Sequence, residues 1–246
     1  MRPFFSFYGG KWRDAPNYPE PTHGTIVEPF AGSAGYATRY PSRRVILCDL
    51  DPIIAGIWRY LISVSPAEVL ALPDVPEGGA VHELDLPQGA RSLVGFWLNR
   101  GSAGPCNAPS AWMRAGKHPT SFWGAEIRER IASQVGQVRH WEVIEGPYTN
   151  APDITATWFV DPPYQVAGTH YRCSSRDLDF DALGGWCRAR QGQTIVCENE
   201  GATWLPFRHH GSMKTARRGR RSAEVIWTRN CLRQGAFEIT TSEGSK

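Results

Sequence analysis

Short apolar runs that end in an acid recur along the chain, with stretches of helical apolar spacing between them. Residues 25–30, TIVEPF, and 43–51, RRVILCDLD, are β-branched and aliphatic runs too short for helices, and each predicts a parallel strand with a functional carboxyl end. The intervening SAGYATRYP predicts a short helix after a glycine turn. DPIIAGIWRYLISV then shows helical apolar spacing, with Asp51 as N-cap and Pro52 at the first helical position. Further on, WEVIEG, ATWFVDPPY and QTIVCENE predict three more strands, and RDLDFDALGGWCRARQ predicts a helix weakened by its Gly pair. The βαβα alternation predicts an α/β fold with a doubly wound sheet, whose ligands sit at the carboxyl ends of the strands.

The middle of the chain breaks this rhythm. Residues 99–124 are rich in Gly, Pro, Ser and Asn with isolated Trp, Arg, Lys and His, which is loop chemistry and reads as a binding insert. The predicted organisation is a core first half over 1–98, an insert over 99–140, a core second half over 141–240 and a disordered tail over 241–246. A length of 246 residues suffices for one such core without metals or staples.

Composition narrows the class. Hydrophobic residues make up 41% and charged residues 21%, and no apolar stretch approaches the roughly 20 residues of a membrane span. The start, MRPFFSFYGGKWR, lacks the apolar region and cleavage site of a secretory signal, so a soluble, cytoplasmic protein is expected. Cysteines 48, 106, 173, 187, 197 and 231 form no C-x-x-C pair, so neither a metal site nor a disulfide framework is expected. The net charge is only +3, yet Arg208, Lys214, Arg217, Arg218, Arg220 and Arg221 crowd beside His209 and His210. Such a patch fits phosphates, or an ordinary solvated hairpin face.

Two motifs carry chemistry. VEPFAGSAGY places Glu28 and then Gly32 and Gly35 just past a strand, where small residues admit a ligand to the backbone. It matches neither the dinucleotide fingerprint nor a phosphate-cradling loop, and taken alone it reads equally as a tight turn. Asp49, ending the next strand, stands where ribose hydroxyls are bound in such sheets, so the two acid-tipped strands suggest an adenosyl ligand. The second motif is the acid, two prolines and tyrosine at 161–164, where the prolines fix φ and leave no amide donors.

FYGGK (7–11), VEPFAGSAG (27–35), CDLDP (48–52), FWLNRG (96–101) and DPPY (161–164), in this order, resemble the Dam-like family of S-adenosylmethionine-dependent DNA adenine N6-methyltransferases, over residues 5–229. DPPY occurs also in RNA adenine methylases, whereas GGK with LNR points to the Dam-like branch. The resemblance implies a Rossmann-like methyltransferase sheet with a small target-recognition insert, acting on an adenine flipped from double-stranded DNA. The adenine amine is a poor nucleophile because its lone pair is delocalised into the ring. In the implied mechanism the Asp161 carboxylate and Pro162 carbonyl accept the two amine protons, Pro163 stiffens the turn, and developing charge on nitrogen is stabilised where it forms. Tyr164 would stack on the base, a contact worth about 1–3 kcal/mol. Transfer is direct and in line, with positioning supplying much of the acceleration and no covalent intermediate.

Cofactor residues carry over by motif. Phe7, Tyr8, Gly9, Gly10 and Lys11 match the N-terminal motif, with Lys11 near the methionine carboxylate. Glu28, Pro29, Phe30 and Gly32 match the glycine motif, Asp49 the ribose acid, Tyr148 a residue beside the cofactor's adenine, and Asp161 borders the cofactor as well. The chain has Pro147 where an acid is common and Phe7 where tryptophan is frequent. The resemblance puts target reading after LNR, on Arg100, Asn107, Trp112, Arg114, Lys117 and His118, in an insert shorter than that of typical relatives. Lys214, Arg217, Arg218, Arg220 and Arg221 would grip phosphates ahead of SAEVIWTRN, which resembles the family's closing hairpin.

Other readings stay open. An RNA adenine methylase shares DPPY, an N4-cytosine enzyme shares the amine chemistry but usually begins its tetrad with Ser, and a catalytically silent nucleic-acid-binding relative would keep the surface alone. A C5-cytosine enzyme would use Cys106 of GPC as nucleophile with Glu198 of CENE, leaving DPPY and GGK unexplained. No fused nuclease or membrane partner is expected, and monomer and dimer are equally compatible with the sequence. A stand-alone modification enzyme of bacterial or phage type is the overall expectation.

Overall fold

The computed structural model describes residues 1–99, 101–116, 119–166, 168–214 and 221–231. Among these, seven strands form one sheet: β1 (Thr25–Glu28), β2 (Arg44–Asp49), β3 (Glu142–Glu145), β4 (Thr155–Val160), β5 (Gln191–Asn199), β6 (Arg208–Lys214) and β7 (Arg221–Cys231). Their order is β3-β2-β1-β4-β5-β7-β6. The first five are mutually parallel, and β7 runs antiparallel to both of its neighbours, β5 and β6. The helices are α1 (Pro52–Ser63), α2 (Pro66–Leu70), α3 (Gln88–Trp97), α4 (Ala111–Arg114), α5 (Ala125–Val135) and α6 (Phe180–Ala189).

Continuous apolar strands bury both faces, because side chains alternate along a strand. Ile26, Val45, Leu47, Phe159 and Ile195 enter a core completed by residues of α1, α3 and α5 and by Phe4 and Phe5. Their neighbours Val27, Ile46, Trp158, Val160 and Val196 enter a second core with Leu183 and Cys187 of α6. The result is a mixed α/β architecture, a mostly parallel sheet covered on both faces, compatible with the Rossmann-like fold expected from the sequence.

All five sequence-predicted strands form, and β1 stops at Glu28, before Pro29. Asp51 caps α1 by accepting the Ile53 N–H at 2.9 Å, with Pro52 at the first helical position. The helix expected after the glycine turn is reduced to one 3-10 turn over Ala37–Arg39. Its first N–H, that of Ala37, goes to the Glu28 carboxylate at 2.6 Å instead of a helical carbonyl, and Pro41 stops propagation four residues on.

The described part of 99–124 holds little regular structure, namely α4 and one 3-10 turn at Pro119–Ser121. The rest of the predicted insert, from residue 125, is α5 and the turn after it, and Ile127, Ile131 and Val135 belong to the first core. Among the described residues no helix is long and apolar enough to cross a membrane.

Candidate functional site

Strand order reverses between β1 and β4, so the chain leaves these neighbours toward opposite faces and a crevice opens at their carboxyl ends. A cavity of about 280 Å³ lies there, lined by Lys11, Glu28, Gly32, Asp49 and Asp161 among others. Gly9, Gly10, Phe7 and Phe30 also line it, as does Pro163, whereas Tyr8, Pro29, Tyr148, Pro162 and Tyr164 do not.

The glycine turn forms one side. Gly32 adopts φ +45°, a left-handed conformation open to glycine, and donates its N–H to Asp49 Oδ2 at 2.9 Å. Ala34 holds φ +48° without that freedom, a local strain at the site's edge. The Asp51 N–H donates to Asp49 Oδ1 at 2.9 Å, so backbone donors reach both oxygens of Asp49. Burial pushes Asp49 up to about 6, against the pull of these N–H groups. Glu28 is 2% exposed, and burial pushes it up to about 8 although the Ala37 N–H opposes the rise. Tyr148 reaches the site only through Phe30, on whose ring it stacks at 5.6 Å. Phe7 stacks at 5.9 Å on Tyr171, whose hydroxyl donates to the Tyr8 carbonyl at 3.3 Å.

Gly35 explains how Lys11 arrives. A Cβ at Gly35 would lie 2.6 Å from the Trp12 nitrogen and 2.8 Å from that of Lys11, so only glycine lets the N-terminal segment lie on the turn. Lys11 is thereby buried, 4% exposed, with its ammonium 2.9 Å from Asp161 Oδ1, 3.1 Å from the Gly9 carbonyl and 3.9 Å from Glu224 Oε1. Burial would favour the neutral amine, but the carboxylates of Asp161 and Glu224 outweigh it and the net shift of Lys11 is upward. Burial likewise raises Asp161, with the Lys11 ammonium pulling the other way. The Oδ1 of Asp161 is buried against the Lys11 ammonium, while the side chain as a whole stays 20% exposed.

Tyr164 is tied down from its far end. Its hydroxyl donates to Glu224 Oε1 at 3.2 Å, and Lys11 lies 4.7 Å from its ring centroid, covering one face. The segment that follows is clamped by Glu198, which accepts the Gln165 and Asn199 N–H groups at 2.8 and 2.9 Å and the Trp204 indole N–H at 3.1 Å. With these donors Glu198 has a structural role, and Cys106 does not line the cavity but is bonded through its N–H to Gly95 of α3. The pair required by C5-cytosine chemistry is therefore not assembled.

The surface calls have mixed outcomes. Trp112 on α4 is 68% exposed. Asn107 is engaged within the protein, its amide oxygen accepting the His82 N–H at 3.2 Å, and the Arg114 guanidinium donates to the Pro109 carbonyl at 2.5 Å. Lys214 ends β6 and Arg221 begins β7, and the two are register partners. Arg100, Lys117, His118, Arg217, Arg218 and Arg220 lie outside the described residues.

Sequence reasoning missed Glu224, Tyr18 and the clamping role of Glu198. Tyr18 donates to Glu224 at 2.6 Å across 206 positions of sequence. The one legible signal was an acid inside the apolar strand pattern of AEVIWT. Among the described residues no group of three or more His, Cys, Asp or Glu side chains could hold a metal.

The cavity offers carboxylates to hydroxyl or ammonium donors at one end and a lysine-paired, partly exposed acid at the other. Asp49 and Asp161 end strands two positions apart in the sheet, about 10 Å, which suits an extended ligand with a polar group at each end. No protein-family model matches the chain, and no curated protein is significantly similar to it.

Proposed function

We propose that the protein is a DNA adenine N6-methyltransferase that uses S-adenosylmethionine. The observation that carries this reading is the meeting of Asp161, the acid of DPPY, with Lys11 of GGK and the glycine turn around one cavity at the switch point of the sheet. Motifs more than a hundred residues apart in sequence thus converge on one place. The sheet order, with β7 inserted antiparallel between β5 and β6, is compatible with the methyltransferase type of Rossmann-like sheet.

The residues fit the cofactor. Asp49 and Asp51 supply acceptors for ribose hydroxyls, the glycine turn permits close backbone approach, and Phe30, Ile54 and Leu178 give apolar wall. When bound, the cofactor supplies an electrophilic methyl group. The chain's own part is to hold the acceptor nitrogen. Asp161, whose buried Oδ1 pairs with Lys11 while its side chain is 20% exposed, takes an amine N–H on the part of the carboxylate that faces the cavity, and the lone pair is thereby turned outward. Because developing ammonium charge falls beside a carboxylate, stabilisation is greatest in the transition state. Pro162 is buried and does not line the cavity, and its carbonyl is the second acceptor that this reading requires. Trp112, which is exposed, supplies a contact for bases, and the basic residues of the sequence between Lys214 and Arg221 are the proposed phosphate contacts.

The test is transfer of labelled methyl groups to unmethylated genomic DNA and, in parallel, to total RNA, followed by digestion to nucleosides. Label in N6-methyldeoxyadenosine is expected. Label confined to RNA would replace the substrate while keeping the chemistry, and label in 5-methylcytosine would contradict the assignment of Asp161.

A further inference from the structure

We infer that Glu224 is a positioning residue of this site: from β7 it holds the Tyr164 hydroxyl and the Lys11 ammonium, and through them fixes the Asp161 carboxylate at the cavity. Its catalytic consequence rests on the proposed methyl transfer, whereas its geometry does not. Glu224 is 2% exposed, and its Oε1 accepts the hydroxyls of Tyr18 at 2.6 Å and Tyr164 at 3.2 Å. The same oxygen stands 3.9 Å from Lys11 Nζ.

A buried lysine facing one carboxylate takes it as a charge-assisted hydrogen bond. Here the ammonium is shared among Asp161, the Gly9 carbonyl and, at longer range, Glu224. Without Glu224, Lys11 loses one of its two carboxylates and with it part of what fixes the Asp161 carboxylate at the cavity. Tyr164 would at the same time lose the anchor of its ring.

The closing hairpin sets where Glu224 stands. It is opposite Asn199 of β5 and Gly211 of β6, at the irregularity between His209 and Gly211. His210 of the same hairpin stacks on Tyr18 at 4.9 Å, so β6 and β7 reach the network at two points. The charged and titratable groups around Glu224 are Lys11 and Tyr18 from the N-terminal segment, Asp161 and Tyr164 beyond β4, and Cys197 on β5.

The experiment uses the full chain with Glu224→Gln, Tyr164→Phe and the double variant. The Lys11 ammonium is titrated by nitrogen-15 NMR without cofactor or nucleic acid, and methyl transfer to DNA is measured against pH with kcat and KM separated. Glu224→Gln is expected to lower the Lys11 midpoint, because one of its two carboxylates is gone, and to lower kcat on the order of 10- to 100-fold with the KM for cofactor unchanged. Tyr164→Phe is expected to lower kcat as well, and the double variant to be no worse than Glu224→Gln, since both changes break one network. A wild-type Lys11 midpoint and kcat in Glu224→Gln, or losses that multiply in the double variant, would overturn the inference. If the wild type methylates nothing while Glu224→Gln still moves the Lys11 midpoint, the functional reading fails and the arrangement stands. Should Glu224→Gln not fold, an unchanged kcat in Tyr164→Phe would still overturn it.

Discussion

Glu28 and Asp49, at the ends of β1 and β2, are satisfied by backbone N–H groups, whereas Asp161 and Glu224, on the other side of the cavity, face Lys11 and two tyrosine hydroxyls. All four are acids at one sheet edge, and burial raises all four. The difference lies in what opposes the rise. Peptide dipoles leave Glu28 at about 8 and Asp49 at about 6, so Glu28 is mostly protonated at neutral pH and donates as well as accepts. On the other side a full positive charge shares the burial, which favours carboxylates that accept only. One side suits a ligand that presents hydroxyls, and the other suits a nitrogen acquiring positive charge.

The sharpest way to break this contrast is to remove the cation. Lys11→Met leaves two buried carboxylates without their counter-charge, and a loss of about 3–5 kcal/mol in urea unfolding at pH 7 is expected. A loss below about 1 kcal/mol would show that the pair is far more solvated than its burial implies.

Next in size is the pH dependence of the other side. Folded Glu28 keeps its proton up to about 8 while an unfolded glutamate releases it near 4.5, so between these values the folded state binds more protons. Its contribution therefore reduces stability as pH rises through that window and levels off above about 8. Glu28→Gln keeps the shape without the charge, and a gain of about 2–4 kcal/mol over the wild type at pH 8, vanishing near pH 4, is expected in denaturant titrations at several pH values.

Smaller again is Asp49→Asn. It removes a charge-assisted acceptor and lets the amide N–H groups oppose Gly32 and Asp51, so cofactor affinity by calorimetry should fall by about tenfold or more. Folding is disturbed less than by the loss of Lys11, because no buried charge is left without its counter-charge.

What the sequence disclosed follows the range of the forces involved. The five parallel strands were legible because apolar runs with acid ends are local, and so was the start of α1, whose Asp51–Pro52 pair is a self-contained cap. The helix after the glycine turn was over-read, since the Glu28 carboxylate nine residues back takes the Ala37 N–H. The acids Glu28, Asp49 and Asp161 were read by motif, but what opposes their burial was not, because the Ala37 and Gly32 N–H groups and the Lys11 ammonium meet them only in the folded chain. Glu224 was invisible as a site residue because its partners, Tyr18 and Tyr164, lie 206 and 60 positions away. Trp112 was legible as an exposed aromatic in a Gly- and Pro-rich stretch, whereas the engagement of Asn107 with His82 depends on contacts across 25 positions.

The central claim is that Asp161 acts as a charged acceptor for a substrate amine, and Asp161→Asn tests it most directly because it keeps size while replacing one acceptor by a donor. Measured with labelled cofactor and unmethylated DNA, this variant is expected to bind S-adenosylmethionine nearly as the wild type does and to form N6-methyldeoxyadenosine about 10²–10³-fold more slowly. Methylation at the wild-type rate with the asparagine in place would contradict the account.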